Sequence, residues 1–359
     1  MLPFVQAGYS PGSFPYVDDG SQPVHRSEWL DIFYESIAYF RDMAAGDASV
    51  VDAKHKAQLF AASYRRSLDA LEASPLDASV KYTCLHLCKL REQALREAGF
   101  TDVFREVKAT ENRNALRLLR GVCAELDALS EPECWIVVIQ NLLAGNIFDC
   151  GSAATRDESF CFENSRAKLK PRPWVIDDVD LFVRTMRRTG DDAESKRYRK
   201  VLMFCDNSGP DFCLGVLPFA RQLLKTGRAS SVVIAANSLP ALNDMTHDDI
   251  VTLLPDIFCE DGLLEELVGS GRLRFVPSGS DLPVIDLSGS GNPLSEELME
   301  EAKDADFVVL EGMGRSIETN LDAHLIGVDS LRIGMVKHEE VARCLGTTLK
   351  DCVVKFCVA

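Results

Sequence analysis

The sequence predicts an α/β protein in which an all-helical N-terminal domain precedes a doubly wound, mostly parallel α/β/α sandwich. Three observations carry this prediction. From Glu28 to about Leu129 apolar residues recur at three- to four-residue spacing and β-branched alternation is nearly absent. After Lys200 the pattern changes to short apolar runs, each followed by a helical segment, an order that builds a parallel sheet covered by helices. The chain is also 359 residues long, more than one hydrophobic core usually spans, so two lobes are expected.

Taken in order, residues 1–25 hold Pro3, Pro11, Gly12, Pro15, Gly20 and Pro23, which forbid a continuous helix and predict an extended arm over the surface. Residues 26–150 form the helical domain. Trp29, Ile32, Phe33, Ile37 and Phe40 make one apolar stripe, Leu85, Leu90, Leu95 and Phe100 a looser one, and Pro75, Gly99 and Pro132 divide the region into helix-sized pieces. Residues 151–192 read as a connecting segment with a helix near Asp177 to Arg188. In the sandwich, residues 193–359, strands are expected at 201–205, 231–236, 273–276, 307–310, 331–336 and 352–358. Helices are expected at 212–226, about 247–254, 263–268 and 295–303. Ligands of such sheets bind beyond the carboxyl ends of the strands, so the residues there carry the chemistry.

Composition narrows the function. Hydrophobic residues make up 46% and charged residues 26%, an ordinary globular balance. With 39 basic against 55 acidic residues, a net charge of -16 and no long Lys/Arg block, the chain lacks the footprint of a nucleic-acid binder. An acidic protein that binds an anion must concentrate positive charge locally, through a metal ion or a few convergent Arg and Lys residues. The 12 cysteines include no CxxC pair and read as reduced core residues. Cys84 and Cys88 have a spacing compatible with zinc, but no second Cys or His pair completes a site, and packing is the expected role. No basic segment followed by an apolar core opens the sequence, and no apolar run approaches the roughly 18 residues of a membrane span, so a cytoplasmic location without membrane partners is expected. Oligomeric state leaves no mark in the sequence.

The first strand of the sandwich ends in Asp206-Asn207-Ser208-Gly209-Pro210-Asp211, where oxygen donors and a permissive glycine meet the start of a helix. A plain turn with Asp211 as helix N-cap is the structural alternative. The second strand ends at Asn237 and leads to Asn243 and Asp244, which either caps the next helix or approaches Asp206. In the latter case Asp206, Asn207 and Asp244 form an all-oxygen shell for a hard divalent ion. Glu311-Gly312-Met313-Gly314-Arg315 closes another strand and offers a guanidinium that can fork onto phosphate oxygens, and Lys337-His338 closes the next. No GxxxxGK[ST] loop, GxSxG elbow or HExxH pair occurs.

Asp206-Asn207-Ser208-Gly209, Pro240-Ala241-Leu242-Asn243-Asp244 and Glu311-Gly312-Met313-Gly314-Arg315 resemble the motifs of the metal-dependent damage-control phosphatases, the domain-of-unknown-function 89 family. The likeness is to the plant stand-alone branch and the phosphatase domain of pantothenate kinase 4, and Leu143 to Asn146 and Asp149 fit it too. The resemblance implies a phosphatase acting on small phosphorylated metabolites: 4′-phosphopantetheine or its damaged forms, or sugar phosphates. It implies a divalent metal (Mn²⁺, Mg²⁺, Co²⁺ or Ni²⁺) on Asp206, Asn207 and Asp244. Ser208, Gly209, Asn237, Arg315 and Lys337 are then expected at the substrate, while Asn146 and Asp149 are either structural or mark where the helical lobe closes over the site. A carboxyl methyltransferase using S-adenosylmethionine and a non-catalytic metabolite-binding protein are the rival readings. The first strand lacks the glycine-rich turn that the methyltransferase would need.

Overall fold

Apolar runs without alternation mark strands buried on both faces, and the sheet they form orders the rest of the chain. A computed structural model describes residues 1–14, 21–74, 83–147, 162–187 and 196–359. Expectations placed on Pro15, Gly20, Pro75, Asp149 and the residues around Arg188 lie outside these.

Among the described residues, seven helices and one short strand come first: α1 (Arg26–Ala45), α2 (Ala53–Ala73), α3 (Cys84–Glu97), α4 (Arg105–Ala128), α5 (Glu131–Gly145), α6 (Phe162–Ala167), β1 (Ile176–Asp177) and α7 (Val179–Met186). The start of α1 is fixed by a capping box between His25 and Glu28, and its stripe Trp29, Phe33, Ile37, Phe40 is buried as the spacing requires. Ser130 and Pro132 set the first turn of α5.

The sandwich continues with β2 (Tyr198–Phe204), α8 (Leu217–Lys225), β3 (Ala229–Ala236), α9 (His247–Glu260), α10 (Gly262–Gly269), β4 (Leu273–Pro277), α11 (Glu296–Glu301), β5 (Phe307–Glu311), β6 (Asp329–Met335), α12 (Glu339–Leu345) and β7 (Cys352–Cys357). The strand order is β1-β7-β6-β5-β2-β3-β4, parallel throughout except where β7 runs against β6. Chain direction across the sheet reverses between β2 and β5. That switch point is where a doubly wound sheet opens a crevice for ligands.

Some elements depart from their sequence expectation. Helix α9 runs through Pro255 rather than ending before it, although a proline removes one helical hydrogen bond. The helix expected from 212 begins instead as a π-helical turn, Asp211–Val216, continued by α8. The two-residue β1 was too short to leave a pattern.

Apolar packing forms three clusters. One joins α4, α5, α7 and α8 to a face of the sheet. A second gathers α1, α2 and α3 with Leu282, Val284, Met313 and Ile317. The third, on the other face, contains Leu2, Phe4 and Val5 of the N-terminal arm. The arm therefore does more than lie over the surface. Leu2 N–H donates to the Leu287 carbonyl (3.0 Å), Ile326 N–H to the Phe4 carbonyl (2.7 Å) and Ser13 N–H to the Glu318 carbonyl (2.8 Å). No helix among the described residues is long and apolar enough to cross a membrane.

Phe4 is 3% exposed in the third cluster. Phe4→Ala should lower unfolding free energy by about 3 kcal/mol, read as a lower urea midpoint at unchanged slope. An unchanged midpoint would mean that the arm lies outside the cooperative fold.

Candidate active site

The register of the central strands builds the site. Phe204 of β2 pairs with Leu310 of β5, so Asp206, two residues past β2, stands beside Glu311, the last residue of β5. Asp206 N–H donates to Glu311 Oε2 at 2.9 Å. Asp211 opens the π-helical turn, and its Oδ2 accepts from Asn207 through both the backbone N–H (3.2 Å) and Nδ2 (3.0 Å). At the end of α5, Asn146 Nδ2 lies 3.2 Å from Asp206 Oδ2, 2.8 Å from Asp211 Oδ2 and 3.0 Å from Glu311 Oε1. This approach needs a glycine before Asn146: a Cβ on Gly145 would stand 2.8 Å from the Asp211 Cα. Gly312 is needed for two reasons, a φ of +95° and a would-be Cβ 2.2 Å from the Asp206 carboxyl carbon.

Oxygen atoms of Asp206, Asp211 and Glu311 lie within 4.8 Å of one another, and all three residues are buried. Three carboxylates so close, out of water, cannot all ionise at ordinary cost. Burial, then the charge of Asp206, pushes the Asp211 carboxyl up to about 6, while the positive charge of Lys337 and donation from Asn146 and Asn207 pull the other way. Burial, then Asp211 and Asp206, pushes Glu311 well above the carboxylate range, again against Lys337 and Arg315. Asn146 Oδ1 and Asp211 Oδ1 are buried oxygens with no hydrogen-bond partner among the described residues. Clustered carboxylates of this kind suit a nearby hard divalent cation, which held on Asp206 would offset part of the repulsion.

The second strand end meets the first. Asn207 and Asp244 form an isolated antiparallel bridge, and Met245 N–H donates to the Asp206 carbonyl at 2.8 Å. Leu242, within the loop that carries Asp244, has a φ of +51°, a left-handed conformation for a branched side chain. Arg315 ties the two ends together: one guanidinium nitrogen bonds Asp206 Oδ1, and the other bonds Asp244 Oδ2 (2.7 Å) and Asn237 Oδ1 (3.1 Å). A cleft opens here, lined by Asp206, Asn207 and Asp244 together with Trp29, Phe33 and Met313.

Asp206, Asn207 and Asp244 thus lie together, so of the two placements the sequence leaves open for Asp244 the structure has the approach to Asp206. Asn237, Arg315 and Lys337 are buried next to them, but none of the three is among the residues lining the cleft. Ser208 and Gly209 are not cleft residues either; their N–H groups donate to the Asn243 carbonyl (2.8 Å) and Asn112 Oδ1 (2.6 Å). Asp211 proves to be a member of the carboxylate cluster rather than a helix N-cap. Glu311, quoted only as part of a motif, also belongs to it. Its signal was available: it ends the strand next to β2, as Asp206 follows β2.

Residues 33–353 match the damage-control phosphatase ARMT1-like domain family. Across 96% of its length the chain is 42% identical to the damage-control phosphatase At2g17340 of Arabidopsis thaliana, covering 92% of that protein. It is 36% identical to pantothenate kinase 2 of Oryza sativa subsp. japonica and 30% identical to the 4′-phosphopantetheine phosphatase of Mus musculus, spanning 38% and 47% of those longer chains and 91% and 98% of itself. A crystal structure of a DUF89 family protein from Pyrococcus horikoshii shares the fold, with a TM-score of 0.62 at 18% identity, over 92% of this chain and 97% of that one. The chain belongs to the ARMT1-like damage-control phosphatase family.

Gly312 provides a local test of this geometry. Gly312→Ala should cost about 3 kcal/mol, since its backbone region is essentially restricted to glycine and the new Cβ would displace Asp206. Gly262→Ala, where the added Cβ meets nothing within 4 Å, should stay within about 0.5 kcal/mol. Equal urea midpoints for the two variants would contradict the described contact.

Proposed function

We propose that this member of the damage-control phosphatase family hydrolyses phosphate monoesters of small metabolites in the cytoplasm, in the cleft above Asp206, Asn207 and Asp244. The observation that carries the reading is the convergence of these three residues from two strand ends in the lining of one cleft. A phosphoryl group must reach the ion that activates it, and these three residues line the cleft whereas Asp211 and Glu311 do not. Asp211 and Glu311 support them from behind: Asp211 holds Asn207, and Glu311 holds the Asp206 backbone. An all-oxygen donor set matches a cation of the Mg²⁺ or Mn²⁺ class.

When bound there, the cation supplies Lewis-acid charge to the phosphoryl oxygens. Arg315 fixes the Asp206 and Asp244 carboxylates relative to each other and adds positive charge beneath the site. Lys337 acts on Asp211 and Glu311 in the same sense. Asn146 orients three carboxylates with one amide, which gives the helical lobe a direct part in the site. The mouse relative named for 4′-phosphopantetheine hydrolysis supports a substrate carrying a phosphate at the end of an elongated tail. Trp29, Phe33 and Met313 offer such a tail an apolar wall.

Hydrolysis of 4′-phosphopantetheine and a panel of sugar phosphates should be abolished by EDTA and restored by Mg²⁺ or Mn²⁺. Asp206→Ala should lower kcat/KM by about 10³-fold while the circular dichroism spectrum is retained, and full activity in that variant would remove the site. Calorimetric metal titration separates the two carboxylate groups. Asp244→Ala should abolish binding, whereas Asp211→Asn should weaken it about tenfold as an orienting group; undiminished affinity in Asp244→Ala would move the ion to the inner cluster.

A further inference from the structure

In the cleft that Asp206 and Asp244 line, α3 and the turn Met313–Glu318 bring sulfur and oxygen together. Cys84 and Cys88 Sγ atoms are 3.8 Å apart, and Cys84 Sγ is 3.5 Å from Glu318 Oε2. All three residues line the same cleft as Asp206 and Asp244. We propose that Cys84, Cys88 and Glu318 form a second cation site, selective for a thiophilic ion of the Zn²⁺ class.

The distances favour a bridging ion. Two thiolates on one tetrahedral zinc, each at about 2.3 Å, stand about 3.8 Å apart, and a thiolate and a carboxylate oxygen at about 2.0 Å stand about 3.5 Å apart. The Cys84–Cys88 and Cys84–Glu318 contacts match these two edges. A direct disulfide fits less well. Residues four apart on a helix hold their Cβ atoms about 5–6 Å from each other, whereas a disulfide needs about 3.5–4.5 Å. Both cysteines lie within the regular helix α3, so a bond between them would have to distort its first turn, while an ion between them would not.

Glu318 comes from a different element, and its backbone is already anchored because its carbonyl accepts from Ser13 of the arm (2.8 Å). An ion held by all three would fasten α3 to the turn that carries Arg315 and narrow the cleft. Three protein donors leave the fourth tetrahedral position open to water or to a ligand in the cleft. The two sites of this cleft would differ in chemistry: an all-oxygen donor set selects hard cations, and a set with two sulfur donors selects soft ones.

The test is a Co²⁺ titration of the full, reduced protein, followed by the near-ultraviolet thiolate-to-cobalt charge-transfer band, which an all-oxygen site does not give. The band is expected in the wild type and in Asp206→Ala, so a failure of the phosphatase site leaves it intact. It should disappear in Cys84→Ser and Cys88→Ser, persist with at least tenfold weaker affinity in Glu318→Gln, and be bleached by Zn²⁺. Cys84→Ala and Cys88→Ala, checked for wild-type melting, guard against loss through misfolding. No band in the wild type, an equal band in both Cys84 and Cys88 variants, or a Cys84–Cys88 disulfide in place of a zinc adduct by mass spectrometry would each overturn the proposal.

Discussion

Three carboxylates, Asp206, Asp211 and Glu311, gathered within 4.8 Å where water is excluded, are the constraint around which this fold is arranged. Apolar surroundings alone would leave such a cluster strongly destabilising. Its neighbours offset that cost. Asn146 donates to all three members, Asn207 donates to two, and the charges of Arg315 and Lys337 favour ionisation. Even so, Asp211 and Glu311 hold their protons above the usual range, so these neighbours compensate only in part. A divalent cation is the charge that would complete the balance.

The architecture explains why the cluster can form at all. Asp206 and Glu311 follow adjacent central strands at the point where the winding reverses, and each strand end runs into a π-helical turn, Asp211–Val216 after β2 and Met313–Glu318 after β5. A π-turn is costly and tends to be kept where function demands it. Here the two turns place Asp211 and Arg315 against the same carboxylate, Asp206. From the helical region, α5 contributes Asn146 and α4 contributes Asn112 and Lys108. Lys108 pairs with Asp102 (3.0 Å) and with Asp249 (2.7 Å), whose side chain closes the capping box with Thr246 at the start of α9. Helices and sheet thus share the site.

Much of this was legible in the sequence, for a physical reason. Central parallel strands are apolar throughout, so a charged residue at their end is conspicuous, and Asp206, Asp244, Arg315 and Lys337 stood out in this way. The less legible parts depend on register or on sequence-distant contact. Asp211 looked like a helix cap because a π-turn and a capped α-helix begin with the same residue types. Glu311 became informative only once β5 was known to lie beside β2. The grip of the N-terminal arm rests on Leu2, Phe4 and Val5, three apolar residues too few to show a period, and the reversal of β7 leaves no mark in its composition.

The position of Arg315 bears on how the carboxylates divide their work. It engages Asp206 through Oδ1, while Asn146 and Asn207 engage Oδ2 of the same residue. Both Asp206 oxygens are therefore oriented by the protein, as an ion-binding carboxylate requires if its geometry is to be set before the ion arrives. Asp244 is oriented through Oδ2, which accepts from Arg315 and from Asn237 Nδ2 at 3.1 Å. Asp211 differs, because one of its oxygens is saturated by three donors and the other has none among the described residues. That asymmetry suits a residue holding its neighbours with one oxygen while the second completes the cluster.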